Sequence, residues 1–235
     1  MADGKMHVGL IPDGNRRFMA KQHIRNLLKS YDMGINKFYD FLEWCYDLRV
    51  GEVTIYALSL ENIVNRDRRE IDTLFKVFNR HAKKGVKDKT LHEKEVRVNV
   101  CGDRDYILNH SQNTELAEKM ITNLGKLEDA TRDYGKFTLN LAIGYGGRQE
   151  VLNAVKSMVD QGVEINEENL KDNLWVKSYP ELIIRTSEDR LSNFLLWQSA
   201  YSEIYFVPKL WQEFQQPDLV EILDDFNSRE RRYGR

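Results

Sequence analysis

Several features that mark common protein classes are missing from this sequence or scarce in it. Its 235 residues include only two cysteines, Cys45 and Cys101, which stand in apolar runs without the spacing of metal ligands. Isolated cysteines of this kind are typical of reduced thiols in a cytoplasmic protein. No apolar stretch is long enough to span a bilayer, and no signal peptide is evident. We therefore expect a cytoplasmic protein without a membrane-spanning segment.

Charge, histidine and glycine patterns argue against further classes. The formal net charge is −2, whereas nucleic-acid-binding domains usually carry a clear excess of basic residues. The five histidines form no paired-ligand pattern, so a zinc site is not expected. The glycines over 144–148 lack the Lys-Ser/Thr of a P-loop and the spacing of a dinucleotide fingerprint. No repeat, linker or low-complexity tract divides the chain, which predicts a single catalytic domain over residues 1–235.

Strand-like and helix-like segments alternate along the chain. Runs of β-branched and apolar residues, each ending in a polar cluster, span residues 6–11, 53–58, 96–100, 137–143 and 182–184. Apolar residues at helical spacing occur over about 35–48, 71–82 and 106–134. This alternation predicts parallel βαβ units. With a further strand beginning near Glu203, we expect an α/β fold with a mostly parallel, six-stranded sheet flanked by helices.

The polar clusters after the strands predict a ligand site. Carboxyl ends of parallel strands share one edge of a sheet, and ligands bind outside it. We therefore expect the following residues to converge: Asp13, Asn62, Arg66, Arg148, Arg185 and Arg190. Glu203 precedes its strand, so it reaches the same edge only if a helix over 191–200 carries it back.

Arginines and carboxylates at such an edge suit phosphate chemistry. The guanidinium fork matches a diphosphate, and Mg²⁺ is usually bound by one or two carboxylates together with phosphate oxygens. The segment 185–190 by itself is equally compatible with a buried salt-bridge network at a strand end. No nucleophile is evident, which favours a reaction in which a diphosphate leaves and the protein stabilises charge. The residues alone predict a Mg²⁺-dependent enzyme that acts on a phosphorylated ligand.

Four segments resemble the cis-prenyltransferase family, the undecaprenyl and dehydrodolichyl diphosphate synthases. They are residues 7–17, 59–62, 140–148 and 185–206, and the similarity is collinear from about Met6 to the carboxyl terminus. The resemblance implies a parallel sheet that is not a Rossmann fold, with an apolar tunnel lined by helices around 38–48 and 71–82. It also implies a Mg²⁺-dependent transferase of isoprenoid biosynthesis. This enzyme would ionise an allylic prenyl diphosphate and condense it with isopentenyl diphosphate to a cis-polyprenyl diphosphate.

The resemblance also implies individual roles. Asp13 binds Mg²⁺ and helps the allylic diphosphate leave, Glu203 completes the Mg²⁺ site, and Asn62 positions the reacting groups and helps remove the proton. The tail with Arg232 and Gly234 implies a homodimer in which it reaches the partner's site, and the apolar product suggests loose association with a membrane surface. The implied substrate-binding residues are Gly14, Asn15, Arg16, Arg17, Phe18, Arg25, Ser59, Leu60, Glu61, Arg66, Arg185, Arg190, Leu191 and Ser192.

Three segments depart from the family pattern. Residues 185–190 are one residue short and lack a glycine that the family usually has between the two arginines. Residues 61–66 lack the aromatic residue of the family pattern and are one residue longer than that pattern. Ser30 and Tyr31 stand where the family usually has Gly-His. The allylic side of the site therefore follows the family, whereas the isopentenyl side differs from it.

These departures leave two alternatives to elongation with isopentenyl diphosphate. The first transfers the prenyl group to another acceptor, either a hydroxyl compound or a second allylic diphosphate. The second is a non-catalytic partner subunit of a heteromeric synthase. Retention of Asp13, Asn62 and Glu203 argues against the second alternative, because a scaffold needs no metal ligands.

Overall fold

A single parallel sheet organises the part of the chain that the computed structural model describes, residues 6–229. The strands run in the order β3-β4-β2-β1-β5-β6, and every pairing between them is parallel. Their bounds are β1 Met6–Ile11, β2 Val50–Ser59, β3 Val96–Cys101, β4 Phe137–Tyr145, β5 Leu182–Thr186 and β6 Glu203–Val207. The predicted six-stranded α/β fold is confirmed, and the sheet is parallel throughout these residues.

Helices fill the connections between the strands. They are α1 Asn15–Lys21, α2 Leu27–Asp47, α3 Leu60–Asn65, α4 Arg68–Gly85, α5 Lys89–Glu93, α6 Arg104–His110, α7 Thr114–Thr131, α8 Gly147–Gln161, α9 Glu167–Asn173 and α10 Gln216–Ser228. Polar side chains cap several of their amino ends. Asn113, for example, accepts a hydrogen bond from the Leu116 amide. This cap divides the helical segment predicted over 106–134 into α6 and α7.

Both faces of the sheet are buried, because side chains alternate along each strand. Val53 and Ile55 of β2 join the larger apolar cluster, together with Phe41 of α2 and Phe75 of α4. Tyr56 points to the other face and packs against a smaller cluster formed by residues of β1, β3, β4 and β5 and of the segments on either side of β5. No helix within residues 6–229 is long and apolar enough to cross a membrane.

An apolar cavity of about 430 Å³ lies between the sheet, α2 and α4. Its lining includes Phe38 and Leu42 of α2 and Phe78 and Ala82 of α4. The cavity lies where the tunnel is predicted, between the sheet and the two helices expected to line it. Other members of the same apolar stripes, such as Phe75, belong to the solid core.

Candidate active site

A polar cavity of about 790 Å³ opens at the carboxyl edge of the sheet. The predicted convergence of strand ends is confirmed, since residues that follow β1, β2, β4 and β5 line this one cavity. Predicted residues in its lining are Asp13, Gly14, Asn15, Arg16, Arg17, Ser59, Glu61, Asn62, Arg66, Arg148, Arg185, Arg190 and Ser192. The two cavities share Ile35, Phe38, Ala57 and Phe78 in their linings, so they adjoin at these side chains.

Asp13 is held in place by the strand next to its own. Its backbone N–H donates to Thr186 Oγ1 at 2.8 Å, and the Thr186 hydroxyl lies 2.9 Å from its carbonyl oxygen. Its carboxylate accepts a hydrogen bond from the Gly14 amide at 2.6 Å. Gly14 has φ 103°, and a Cβ there would lie 2.6 Å from Ser187 Oγ, so the turn requires glycine. The sequence Asp-Gly therefore fixes where the carboxylate stands.

Arg185 is the buried cation of the site. Its side chain is 3% exposed, and Nη2 donates to Asp13 Oδ2 at 2.9 Å. Nη1 donates to Ser192 Oγ at 2.6 Å and to the carbonyl oxygen of Arg190. Arg185 therefore forms the buried salt bridge at the strand end that the sequence left open as an alternative. By contrast, Arg190 has a side chain that is 67% exposed.

The segment after β5 contains a concentration of unusual backbone conformations. Ser187, Ser192, Asn193 and Leu195 have positive φ angles of 69°, 48°, 64° and 44°. Residues with L chirality rarely adopt this region, and such residues cluster at functional sites. The helix predicted over 191–200 is therefore wrong: the segment forms turns, because left-handed residues cannot continue a right-handed helix.

Asn193 is a site residue that sequence reasoning missed. Its side-chain nitrogen donates to Glu61 Oε1 at 3.0 Å, and its side-chain oxygen accepts from the backbone N–H of Arg148 at 2.9 Å. Its carbonyl oxygen accepts from the Gly147 amide at 2.7 Å. These bonds tie the turn segment to the starts of α3 and α8. The available signal was the residue type, since asparagine tolerates the left-handed conformation better than most residues.

Exposed arginines surround the carboxylates of the cavity. Arg17 Nη2 lies 3.0 Å from Glu188 Oε1 and 3.8 Å from Asp13 Oδ1. Arg16 and Arg148 are exposed and form no ion pair with any residue of 6–229. The cavity therefore has cationic groups whose charge is only partly balanced, as an anion site requires.

Residues 11–234 match the family described as "Putative undecaprenyl diphosphate synthase". The chain belongs to this family of cis-prenyltransferases. A tritrans,polycis-undecaprenyl-diphosphate synthase (geranylgeranyl-diphosphate specific) from Methanopyrus kandleri is 42% identical, over 97% of this chain and 84% of that protein. The structure of a probable undecaprenyl diphosphate synthase from Campylobacter jejuni has a TM-score of 0.78 at 29% identity and covers 99% of both chains.

A second solved structure extends this likeness. It is lavandulyl diphosphate synthase from Lavandula x intermedia in complex with dimethylallyl diphosphate, with a TM-score of 0.85 at 27% identity over 97% of this chain and 98% of that one. The protein is thus an enzyme that transfers prenyl groups, and the predicted family and enzyme class are confirmed.

Asn62 of this cis-prenyltransferase is oriented by the cap of its own helix. Ser59 Oγ accepts from the Asn62 amide at 3.1 Å and from its side-chain nitrogen at 2.9 Å. Asn62 also lines the polar cavity. Its role in positioning the reacting groups stays a prediction.

Arg66 is anchored by a tyrosine where the family usually has histidine. Its Nη1 donates to Glu70 Oε1 at 2.8 Å and to the Tyr31 hydroxyl at 3.2 Å. Tyr31 in turn donates to Glu70 at 2.5 Å. Burial raises the pKa of Tyr31, which keeps its hydroxyl protonated as a donor. Sequence reasoning noted Tyr31 as a departure but did not predict this contact.

Glu203 requires a correction. It pairs with Leu182, the first residue of β5, and therefore lies at the amino end of the sheet, whereas Asp13 follows the carboxyl end of β1. Its carboxylate lies 3.3 Å from Arg229 and accepts from Tyr205 at 3.2 Å. The prediction that Glu203 joins Asp13 within one chain is wrong, because no helix carries it back. Within residues 6–229 no three His, Cys, Asp or Glu side chains are grouped to hold a metal ion.

Several implied substrate-binding residues lie outside the cavity lining. Leu60 is buried at the start of α3, Arg25 is exposed between α1 and α2, and Phe18 and Leu191 are half-buried. The predicted dimer tail, Arg232 and Gly234, lies outside the described residues.

Proposed function

We propose that this cis-prenyltransferase elongates an allylic prenyl diphosphate with isopentenyl diphosphate. The observation that carries the proposal is the junction of the two cavities. An arginine-rich cavity suits the diphosphates, and the apolar cavity that adjoins it suits the hydrocarbon chain. An enzyme that lengthens an apolar chain at a charged end needs both environments in contact.

The arginines supply the charge stabilisation that the reaction needs. Negative charge grows on the diphosphate as its bond to the allylic carbon breaks, so fixed guanidinium groups stabilise the transition state more than the ground state. Arg16, Arg17 and Arg66 would hold the allylic diphosphate, and Arg185 would fix Asp13 and Ser192. Arg190 and Ser192 would hold isopentenyl diphosphate, with Asn62 between the two reacting carbons.

Asp13 could serve as the protein ligand of a magnesium ion whose other ligands are mostly substrate oxygens. Both carboxylate oxygens of Asp13 accept one hydrogen bond each, and the side chain is 39% exposed, so lone pairs remain available. Mg²⁺ commonly takes one or two carboxylates together with phosphate oxygens and water. Bound there, Mg²⁺ would neutralise the leaving diphosphate.

A product assay tests the proposal directly. The enzyme is incubated with Mg²⁺, isopentenyl diphosphate and geranyl, farnesyl or geranylgeranyl diphosphate, and products are identified by mass. We expect a ladder of five-carbon increments. Geranylgeranyl diphosphate should be the best donor, because the Methanopyrus kandleri relative is named as specific for it. A single adduct formed without isopentenyl diphosphate would instead support a different acceptor.

Ala57 offers a test of the path that the chain takes. It lines both cavities, so a larger side chain at this position should narrow their junction. We expect Ala57→Phe to shift products to shorter chains while the first condensation continues. Ala57→Ser, which barely changes the volume, is the matched control. An unchanged product distribution in Ala57→Phe would place the growing chain elsewhere.

We also propose that the enzyme is a homodimer joined along β6. This edge strand and the preceding turns expose Trp197, Tyr201, Ile204 and Phe206, with Tyr201 82% exposed. A two-fold axis perpendicular to the paired edge strands would place the amino end of one β6 beside the carboxyl end of the other. The metal role of Glu203 is therefore retained only as a contribution from a second chain. Light scattering should show a dimer, and Phe206→Glu should yield a less active monomer.

We propose, finally, that the enzyme is cytoplasmic and rests loosely on anionic membranes through the lysines beside the apolar cavity. Lys84 and Lys94 line the apolar cavity and are absent from the lining of the polar one. Lys83, Lys87 and Lys89 are exposed close to them in sequence and form no ion pair within residues 6–229. Each lysine near an anionic bilayer contributes about 1 kcal/mol. Sedimentation with phosphatidylglycerol vesicles should therefore fall about tenfold or more when these three lysines become glutamate.

Matched charge reversals elsewhere give the control for this experiment. Lys126, Lys156 and Lys177 are also exposed but lie outside the lining of the apolar cavity. Their conversion to glutamate alters the net charge equally. Equal losses in both triple variants would indicate a general charge effect and no docking surface.

A further inference from the structure

A carboxylate stands between two of the arginines that the proposed reaction assigns to different diphosphates. Glu188 Oε1 lies 3.0 Å from Arg17 Nη2, and its Oε2 lies 3.0 Å from Arg190 Nη1. Glu188 thus uses both oxygens, one for each guanidinium. Its side chain is 30% exposed and lines the polar cavity.

We propose that Glu188 is an internal anion that diphosphates must displace, and that it couples the two diphosphate subsites. This inference rests on the proposed function. Arg17 belongs to the allylic side and Arg190 to the isopentenyl side, so one side chain bridges both. A diphosphate carries the same type of charged oxygen acceptor, and it competes for the same N–H donors. Glu188 would therefore hold both arginines until a diphosphate, which is the stronger anion, displaces it.

The local structure allows this carboxylate to leave without disturbing the site. The base of the loop is anchored: Ser187 Oγ donates to the Lys209 carbonyl oxygen at 2.9 Å, and the Ser187 amide donates to Val207 at 2.8 Å. Arg17 keeps a second contact, because its Nη1 donates to the Ser187 carbonyl oxygen at 3.1 Å. A rotation of the Glu188 side chain toward solvent is therefore sufficient.

Coupling between the subsites follows from the shared carboxylate. The first diphosphate to bind breaks one ion pair of Glu188 and pushes the like-charged carboxylate away from the other. The second diphosphate then meets an arginine that is already free, and it binds more tightly. By linkage, each diphosphate strengthens the binding of the other by the same factor.

Calorimetric titration with inorganic pyrophosphate tests the competition. Wild type, Glu188→Gln, Glu188→Ala and Asp189→Asn are compared at one ionic strength. Asp189 is the neighbouring exposed carboxylate and forms no ion pair with a residue of 6–229, so it is the matched control for net charge. We expect both Glu188 variants to bind pyrophosphate about three- to tenfold more tightly than Asp189→Asn, as the loss of two partly exposed ion pairs implies.

Weaker or unchanged binding in both Glu188 variants would overturn the proposal. It would show that the carboxylate orients the arginines productively and does not compete with the ligand. Absence of pyrophosphate binding in wild type and all variants would overturn the diphosphate site itself, and with it the proposed function. Thus the two failures have different signatures.

A second titration tests the coupling. Isopentenyl diphosphate is titrated into enzyme with and without a saturating, unreactive geranylgeranyl thiolodiphosphate. We expect the thiolo compound to tighten isopentenyl diphosphate binding about threefold or more in wild type and in Asp189→Asn. The effect should disappear in Glu188→Gln. Equal coupling in all three proteins would overturn the bridging role.

Discussion

Two polar clusters on the same sheet differ in how completely they are paired. At the carboxyl edge, Arg16 and Arg148 are exposed and have no ion pair within residues 6–229. In the amino half of the sheet, His7, Thr54 and Asn140 are at most 3% exposed, and hydrogen bonds join their side chains to one another. His7 Nε2 lies 2.8 Å from Thr54 Oγ1, and the Asn140 amide donates to Thr54 at 3.0 Å.

The contrast separates stabilising polar groups from binding ones. Buried polar atoms that satisfy each other join neighbouring strands and leave nothing to offer a ligand. Exposed donors at the carboxyl edge, such as those of Arg16 and Arg148, have no ion-pair partner within residues 6–229 and remain available to a bound anion. We infer that changes at the edge alter activity far more than stability, and that changes in the amino half do the reverse.

The largest effect is expected for Asp13→Asn. The amide keeps a hydrogen-bond acceptor for Gly14 but loses the charge that pairs with Arg185 and that the proposed Mg²⁺ would require. We expect kcat to fall about 10³-fold, which is typical of losing one electrostatic contact to a transition state. Because Asp13 is partly exposed, unfolding free energy should fall by only about 1–2 kcal/mol. Steady-state kinetics and urea unfolding of the same preparation measure both quantities.

Asp13→Ala is the less informative change. If Asp13 acted only as a metal ligand, this substitution would leave the melting temperature nearly unchanged. The structure modifies this expectation, because the buried Arg185 would lose its counter-charge without any replacement. A large loss of stability in Asp13→Asn, with activity retained per folded molecule, would make Asp13 a structural residue and contradict the comparison.

The sheet and the convergence of its strand ends were predictable because both follow from local patterns. Alternating strand and helix periods predict parallel units, and parallel units place Asp13, Asn62 and Arg190 at one edge whatever the details of the loops. No long-range information is needed for this step.

The position of Glu203 was not predictable from local patterns. The apolar spacing over 191–200 resembles a helix, but Asn193 is held in a left-handed conformation by bonds to Gly147 and Arg148. These partners lie about 45 residues away in sequence. The burial of Arg185 is a second such case, since arginine is typically exposed and its counter-ion Asp13 comes from another strand.

A smaller effect, and the reverse pattern, is expected for Asn140→Leu. Asn140 donates to Glu52 Oε1 at 2.6 Å and to Thr54, and it accepts from Asn99 at 2.9 Å. Leucine leaves these partners unsatisfied, so unfolding free energy should fall by about 2–4 kcal/mol. Activity per folded molecule should stay near wild type. Asn99→Ala, which removes only the Asn99–Asn140 bond, should cost less. Equal losses would mean that this single bond accounts for the whole effect.

The smallest effect concerns the pH dependence of stability at His7. Burial lowers the pKa of His7 to about 4, opposed in part by the nearby Glu52 carboxylate, whereas the unfolded chain has a histidine pKa of 6.5. As pH falls below 6.5, the unfolded state takes up a proton that the folded state excludes. Stability contributed by neutral His7 is therefore complete above pH 6.5 and decreases by about 2 kcal/mol on going to pH 5.

His7→Gln isolates this contribution, because glutamine cannot titrate and all other groups are common to both proteins. Urea unfolding at pH 7 and pH 5 should show a loss of stability that is about 2 kcal/mol greater in wild type than in the variant. Equal losses would mean that His7 becomes protonated within the fold. The buried cluster around His7 would then tolerate a charged group, as the carboxyl edge does. The contrast between a fully hydrogen-bonded buried cluster and a partly unpaired ligand site would not hold.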